Sequence, residues 1–459
     1  MAKDLRTFIE ILEKNQQIIR AKKPVDPREQ MSALVWEALP DKAIFFENLA
    51  GFPDWQAVAG TIESRQRVAL ALGLSPDRVL PEYSKLWNRE LLPYEKVSHG
   101  PVKEVVLTGN DVNLLELPIP KNCERDGGPY LTFSETICKD PDTGIHNAAI
   151  LRIQIKSENK TGIYCVYGKH TWEIYRKYER MNEPMPVAIT IGHHPAMHLA
   201  GTWAGPMDVD ELKLAGTIMG EPLRVVKAET SDLMVPADAE AVIEGVVPPG
   251  VREPEGPHAE FTGYYPRIYS EPIIEVKAIT RRKKPIYDFN WSAHPGVCTS
   301  LGIEGYLYNR IKEVEGYIDI KDVHIFPQVD HFLVIVQFTP QYEGQAKNVL
   351  MAALSGATIH TKLAIAVDED VNIYDPAEIL WALANRTHPK LDVFIIGDTR
   401  NHPFDIKLPL DEEGTVPVRV GSKMGIDATK PPTTKPDARR AFDRARPVGW
   451  DKVKLADFL

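Results

Sequence analysis

From about Tyr130 to Trp291 the chain reads as short apolar alternations cut by turn chemistry, and that rhythm limits the fold more than any single motif. YLTFSETICKD alternates, PDTG turns, NAAILRIQIK alternates again, SENKTG turns, and IYCVY follows as another short strand. AEAVIEGVV, EPIIEVKAIT and, after the RRKKP turn, IYDFNW extend the series. HTWEIYRKYERM and DVDELKLAGTIMG interrupt it with helical character. Strands this short and this closely spaced predict a barrel or sandwich with inserted helices.

The rhythm differs on either side. The first hundred residues mix helical periodicity with apolar runs such as KAIFFENL, which reads as α/β. Leu5, Phe8, Ile9 and Leu12 stand at helical spacing among charges, which predicts an amphipathic packing helix rather than a signal peptide's unbroken apolar core. LGIEGYLYNRIKEVEGY, from Leu301 to Tyr317, reads as one long linking helix. Beyond it HFLVIVQF, KLAIAV and VFIIGD are strands. They alternate with the helices GQAKNVLMAAL and DPAEILWALANR, the latter with Asp375 as N-cap and Pro376 in its first turn. Such alternation means βαβ units and a mainly parallel sheet. The expected chain is therefore mixed α/β: an α/β segment over about 1–105, a strand-rich barrel over about 106–299, a linker helix over 300–318, and a C-terminal α/β domain over 319–459. A tail from Pro431, rich in proline and charge, ends in an apolar-periodic piece expected to dock on something.

A length of 459 residues exceeds one compact core, so two or three domains are expected. A net charge of −10 argues against a nucleic-acid-binding surface. Arg439, Arg440, Arg444 and Arg446 are interleaved with Asp437 and Asp443, which reads as a solvated or subunit-contacting helix. Cys123, Cys138, Cys165 and Cys298 form no C-x-x-C pair, which suits free thiols in a reducing compartment. No run approaches the ~18 apolar residues of a membrane span. The expectation is a cytoplasmic protein that binds neither membrane nor nucleic acid.

Several motif candidates fail. GIYCVYGKHT has one residue too many for a P-loop, and His170 stands where Ser or Thr is required. SENK has the S-x-x-K spelling but falls in a hairpin turn. VDEDVNIYD lacks the glycine and glutamate of a calcium loop and reads as acidic residues between a strand end and a helix cap. In GHHPAMHLAGTW, His193, His194 and His198 could ligate a metal, but Pro195 breaks the spacing, so the segment alone favours a loop presenting backbone amides.

Scattered polar residues remain. Arg152 alternates against the apolar Leu151, Ile153 and Ile155, so an ordinary strand would turn it to solvent unless it has a partner. Glu255 and Glu260, in EPEGPHAEFTGYYP, are candidate partners, since a guanidinium binds carboxylates bidentately. Asn147, His170 and Glu211 form a candidate O/N/O ligand set for a divalent ion, although their separations give no spacing signal. Asn147 and Arg152 are five apart, so an ideal strand places them on opposite faces unless a bulge or strand end intervenes.

Taken together, the segments DLRTFIEILEKNQQIIRAKKPVDP, NAAILRIQ, GKHTW, EGPHAEFTGYY, VDEDVNIYDPAEILWALANR and GSKMGIDATK resemble the UbiD family of decarboxylases, which use prenylated FMN. The resemblance covers nearly the whole chain. It implies reversible non-oxidative decarboxylation of an aromatic, heteroaromatic or α,β-unsaturated acid through a covalent adduct with prenylated FMN, in a split-barrel flavin-binding region. It implies Arg152, Glu255 and Glu260 as the catalytic set, with Glu260 as proton donor. Asn147, His170 and Glu211 match manganese ligands, and Ala148, Ala200, Gly201 and Trp203 match a potassium site built mainly of carbonyls. Ile150, Leu151, Lys169, Thr202 and Lys423 match positions that touch the cofactor. It further implies a flavin prenyltransferase as cofactor supplier, a homodimer or homohexamer, and carbon dioxide as co-product.

The sequence departs from that pattern at His258 and Ala259, where the family commonly has an aromatic residue and glycine. His294, in WSAHPGVCTSLGIE, is a candidate substrate contact. Arg152 suits carboxylate binding because a guanidinium stays charged and offers paired donors. Glu260 suits proton return if burial raises its pKa, with Glu255 ionised against Arg152. Two other readings stand beside this one. A glycoside hydrolase would use the two glutamates as acid and nucleophile, but leaves Arg152 without a role. A non-catalytic flavin- or phosphate-binding module would have no need of the intact polar set.

Overall fold

The computed structural model describes residues 2–293, 296–316, 318–327, 329, 331–356, 358–408 and 419–458; His294 lies outside them. The N-terminal helix Leu5–Lys14 forms as its spacing predicts, burying Leu5, Phe8, Ile9 and Leu12. Asp4 caps it, its carboxylate accepting from the Thr7 amide at 2.9 Å. Leu5 and Ile9 pack with Phe45, Val58 and Ile286. Each such side chain removed from water contributes about 1.5–3 kcal/mol.

Among the described residues the strands form four sheets. The first joins Ile18–Ala21, Ala43–Phe46, Gln56–Ala59 and Ile286–Phe289. The last of these, within IYDFNW, is grouped with the barrel strands by sequence order, yet pairs in parallel with Gln56–Ala59. All four of its residues are buried, as a strand covered on both faces requires. The second sheet is a ten-stranded curl running through the middle of the chain; Glu255 ends one of its strands, and Arg152 lies between two others.

NAAILRIQIK is not one strand in this sheet. His146–Ile150 pairs with Glu135–Lys139, whereas Ile153–Ser157 pairs with Tyr130–Leu131 and Lys160–Ile163. The chain leaves one ladder and joins another at Leu151 and Arg152. That break removes the parity conflict between Asn147 and Arg152. IYCVY likewise gives a strand only to Ile163, and Tyr164 lies beyond it.

The linking helix is Val297–Glu315, beginning four residues before Leu301. Its Gly302 lies against the Thr202 backbone: a Cβ there would come 2.3 Å from the Thr202 carbonyl oxygen. Gly302→Ala therefore must displace either the helix or the Thr202 segment, and a cost of about 1–3 kcal/mol is expected. A lowered melting temperature accompanied by weaker flavin retention would confirm that this contact holds the segment in place. A melting temperature equal to the parent's would refute it.

The C-terminal sheet is parallel at its centre, through Leu333–Phe338, Leu363–Val367 and Arg419–Ala428. Its edge strands Ile320–His324 and Val393–Asn401 are antiparallel. The helix Pro376–Arg386 starts at Asp375 as predicted, with Ala377 N donating to its carboxylate at 2.9 Å. The acids of VDEDVNIYD are structural: Asp368 pairs with Arg439, and Asp370 with Arg386. Arg444 pairs with Glu378, so part of the basic run is spent within the chain. Trp450, Leu455 and Phe458 of the tail are exposed. The four cysteines are free thiols. Among the described residues no helix is long and apolar enough to cross a membrane.

Candidate active site

Arg152 is buried, not solvent-facing, because it has found partners over a hundred residues away. Its Nε donates to Glu255 Oε1 at 3.1 Å and its Nη2 contacts Glu255 Oε2, giving a bidentate pair. Nη1 reaches Glu260 Oε1. The guanidinium carbon lies 4.2 Å from the centre of the Tyr164 ring and 5.3 Å from that of Phe404. Glu255 ends the strand Arg252–Glu255, which pairs with the long strand Tyr269–Arg281.

The two glutamates are held at different depths of electrostatic support. Burial pushes the Glu260 carboxyl up to about 7, with Glu255 adding to the rise and Arg152 pulling against it. Glu255 takes the two-point contact with Arg152 and Glu260 the single one, so Glu260 is the less firmly held of the two as a carboxylate. Behind them Glu271 is also raised to about 7, chiefly by burial.

The intervening loop is anchored by backbone contacts. Ala259 N donates to Asp126 Oδ1 at 2.8 Å, Gly256 N donates to Gln154 Oε1 at 3.2 Å, and Gly127 N donates to the Pro257 carbonyl at 2.7 Å. A Cβ on Gly127 would come 2.5 Å from the Gly256 carbonyl oxygen, so this approach needs glycine. His258 packs against Tyr130, the ring centres 4.1 Å apart and the planes tilted by 37°. Burial, then the Arg152 charge, holds it well below the ordinary histidine range, so it is neutral. The departure at 258–259 thus supplies a flat neutral ring and a small buried methyl beside the acid.

A cleft of two joined compartments lies against this cluster. One, of about 210 Å³, is walled by Arg152, Tyr164, His258, Glu260, Phe261 and Phe404, among others. The other, of about 300 Å³, is walled by Asn147, Lys169, His170, Thr202, Trp203 and Glu211, among others. Ile150, Leu151, Val166, Thr299 and His360 line both.

In the larger compartment His170 opens the helix His170–Met181 and Glu211 opens Glu211–Met219. Glu211 Oε1 lies 3.7 Å from His170 Nδ1, and Glu211 Oε2 accepts from Ala148 N at 3.1 Å. Burial raises Glu211 to about 7. Asn147 Nδ2 donates to Thr171 Oγ1 at 3.0 Å, so its Oδ1 remains as an acceptor. A buried acid with weak partners, an imidazole and an amide oxygen are a chemically suitable donor set for a borderline divalent ion. Burial depresses Lys169 to about 8, with Arg400 adding to the effect.

Family models described as the N-terminal, Rift-related and C-terminal domains of 3-octaprenyl-4-hydroxybenzoate carboxy-lyase match residues 9–87, 95–295 and 299–428. The UbiD-class enzyme HmfF from Pelotomaculum thermopropionicum, solved in complex with FMN, is 34% identical with a TM-score of 0.90. That alignment covers 99% of this chain and 100% of the other. The chain belongs to the UbiD family. Vanillic acid decarboxylase of Sedimentibacter hydroxybenzoicus, in open form, matches this UbiD chain at 30% identity and a TM-score of 0.83, over 98% and 97% of the two chains. The 3,4-dihydroxybenzoic acid decarboxylase AroY of Klebsiella pneumoniae matches at 26% and 0.86, over 100% and 99%.

The UbiD fold brings most of the sequence-predicted positions into this one cleft. Ala200 is fully buried just behind its wall, and its carbonyl accepts from Trp203 N at 3.0 Å. Lys423 is buried with Nζ donating to the Leu354 carbonyl at 2.8 Å, and it is not among the lining residues of either compartment. Sequence reasoning missed the wall contributed by the C-terminal part. His331, His360 and Phe404 line the smaller compartment, and Phe261 lies among them, 5.1 Å from His331 and 6.0 Å from Phe404. Two histidines and two phenylalanines near one another in space leave no local spacing signal, because they come from separate loops.

Proposed function

We propose that this UbiD chain catalyses reversible non-oxidative decarboxylation of a small aromatic or heteroaromatic acid in the smaller compartment, with prenylated FMN held in the larger. The observation that carries this reading is the single buried guanidinium shared by two unequal carboxylates at the edge of a ring-sized, aromatic-walled space. The about 210 Å³ of that space suits one ring better than a polycyclic acid. Prenylated FMN, when bound, supplies the electron sink that a departing carbon dioxide requires.

The remaining work falls to the chain's own residues. Arg152 binds and orients the substrate carboxylate through paired N–H donors. Tyr164, Phe261 and Phe404 keep water from the reacting carbon and strengthen the charges inside. Glu260 carries a proton near neutral pH and delivers it to the carbon that has lost carbon dioxide. Glu255 holds Arg152 in place as the substrate arrives.

In the same reading, Asn147, His170 and Glu211 hold a manganese ion that neutralises the flavin phosphate, beside Lys169. Carbonyls of Ala148, Ala200, Gly201 and Trp203 hold a potassium ion. Ile150, Leu151 and Thr202 form the flavin wall, with Lys423 behind it. The chain divides into a flavin-binding region over 1–299, a linker over 300–318 and a C-terminal domain over 319–459, whose tail contacts a second copy. A flavin prenyltransferase supplies the cofactor.

The test is protein co-expressed with such a prenyltransferase and screened against a panel of acids for carbon dioxide release and C–H deuterium exchange. Release and exchange with single-ring aromatic acids are expected; flavin-loaded protein inert on every acid would sink the proposal. Separately, Glu211→Gln should cut manganese affinity by more than about 10–100-fold and lower flavin content with it. Metal analysis and the visible spectrum of the purified variant measure both. Unchanged occupancy would remove Glu211 from the ligand set.

A further inference from the structure

Behind the wall of the cleft lies a cluster that the decarboxylation reading leaves unused. Glu135 opens the strand Glu135–Lys139, His193 lies in the turn after Met185–Ile191, and His198 sits on the short helix Ala196–Gly201. None is more than 2% exposed. One ligand atom from each lies within 4.8 Å of the other two. His198 Nδ1 is 2.7 Å from Glu135 Oε1, and His193 Nε2 contacts Glu135 Oε2.

The far side of each ring decides what faces the glutamate. His193 Nδ1 is 3.1 Å from the His194 carbonyl oxygen, which can only accept, so that nitrogen donates. His198 Nε2 is 3.2 Å from Asp288 Oδ2 and donates there. Neutral rings in these tautomers turn two lone pairs, from His193 Nε2 and His198 Nδ1, onto the Glu135 carboxylate. With both rings neutral, three acceptors removed from water and aimed at one point need a cation among them.

The surroundings are those of a metal site. An imidazole ligand usually donates its other N–H to a carboxylate or backbone carbonyl, which fixes the ring and raises its basicity. His198 and His193 have one of each. Two imidazoles and one carboxylate suit zinc, whereas magnesium or calcium would call for mostly oxygen ligands. The buried Asp288 keeps a second oxygen with no hydrogen-bond partner, so negative charge is in surplus here.

We propose that Glu135, His193 and His198 bind a zinc ion, with Asp288 and the His194 carbonyl orienting the two rings. The ion is structural. It ties a barrel strand, a turn and the helix that leads into Thr202 and Trp203 of the flavin-side wall. Phe133, which lines the substrate compartment, stacks on His198 at 3.8 Å, so the ion also stiffens the floor of that compartment. This site shares no residue with Asn147, His170 and Glu211.

The competing arrangement places a second proton on each facing nitrogen and needs no metal. Full-length protein expressed with zinc supplied, then dialysed and unfolded in the presence of a chromophoric chelator, separates the two. Release of about one zinc equivalent per chain is expected. Less than about a tenth of an equivalent from folded wild-type protein overturns the proposal. His193→Gln and Glu135→Gln should lose the zinc, while His170→Ala should keep it. The reverse pattern would place the zinc at the flavin-side residues and refute this site. The wild-type measurement stands even if a ligand variant fails to fold.

Discussion

Glu260→Gln loses about 10²–10⁴-fold in turnover and in solvent deuterium incorporation, the range a positioned general acid contributes, while flavin content stays at the parent level. The amide keeps the shape and the contact with Arg152 but has no transferable proton of suitable acidity. The wild-type pH dependence has the same origin. Burial, reinforced by Glu255, lifts Glu260 from an ordinary 4.5 to about 7 against the pull of Arg152. The donor is therefore competent below about pH 7, and the rate of decarboxylation falls as pH rises through it. The folded protein holds a proton that the unfolded chain has lost between 4.5 and about 7, so this group's contribution to stability declines across the same window. Glu260→Gln removes that limb from the stability profile. Undiminished turnover in the variant would take Glu260 out of the acid role.

How far the sequence could carry this differs from one part of the molecule to another. Local periodicity located the helices Leu5–Lys14 and Pro376–Arg386 because their apolar spacing and caps lie within a few residues of each other. It could not place Ile286–Phe289 in the N-terminal sheet, since strand partners are chosen by tertiary packing rather than by the strand's own residues. The same limit hid the break at Leu151 and Arg152, where two adjacent strands take different neighbours. Within the site, Glu255 and Glu260 were visible as acids bracketing one turn, and a candidate guanidinium partner could be named. That Arg152 is buried became clear only with the contact itself, across 103 residues. The ligand set came from family resemblance, because Asn147, His170 and Glu211 have no spacing signature. In GHHPAMHLAGTW the turn was legible, but the orientation of its rings depended on Glu135 and Asp288 from distant strands.

Arg152→Met is expected to cost about 3–5 kcal/mol of stability at alkaline pH as well as abolishing turnover, because it leaves two carboxylates buried without their cation. The effect has a direction in pH. Arg152 is what restrains the rise of Glu260, so without it the Glu260 pKa climbs further above about 7. A raised acid stabilises the fold while it is protonated and loses that contribution as pH rises, so the gap between variant and parent should widen from about pH 6 to about pH 8.5. Thermal unfolding at the two pH values measures this directly. Arg152→Lys separates charge from geometry: an ammonium restores most of the stability but cannot form the two parallel bonds that Glu255 or a substrate carboxylate takes from a guanidinium. Restored folding with turnover still lost is the expected outcome for lysine. A methionine variant as stable as the parent at both pH values would mean that the two acids do not need Arg152 to be buried. The structure gives the opposite answer, since both of them contact that one side chain.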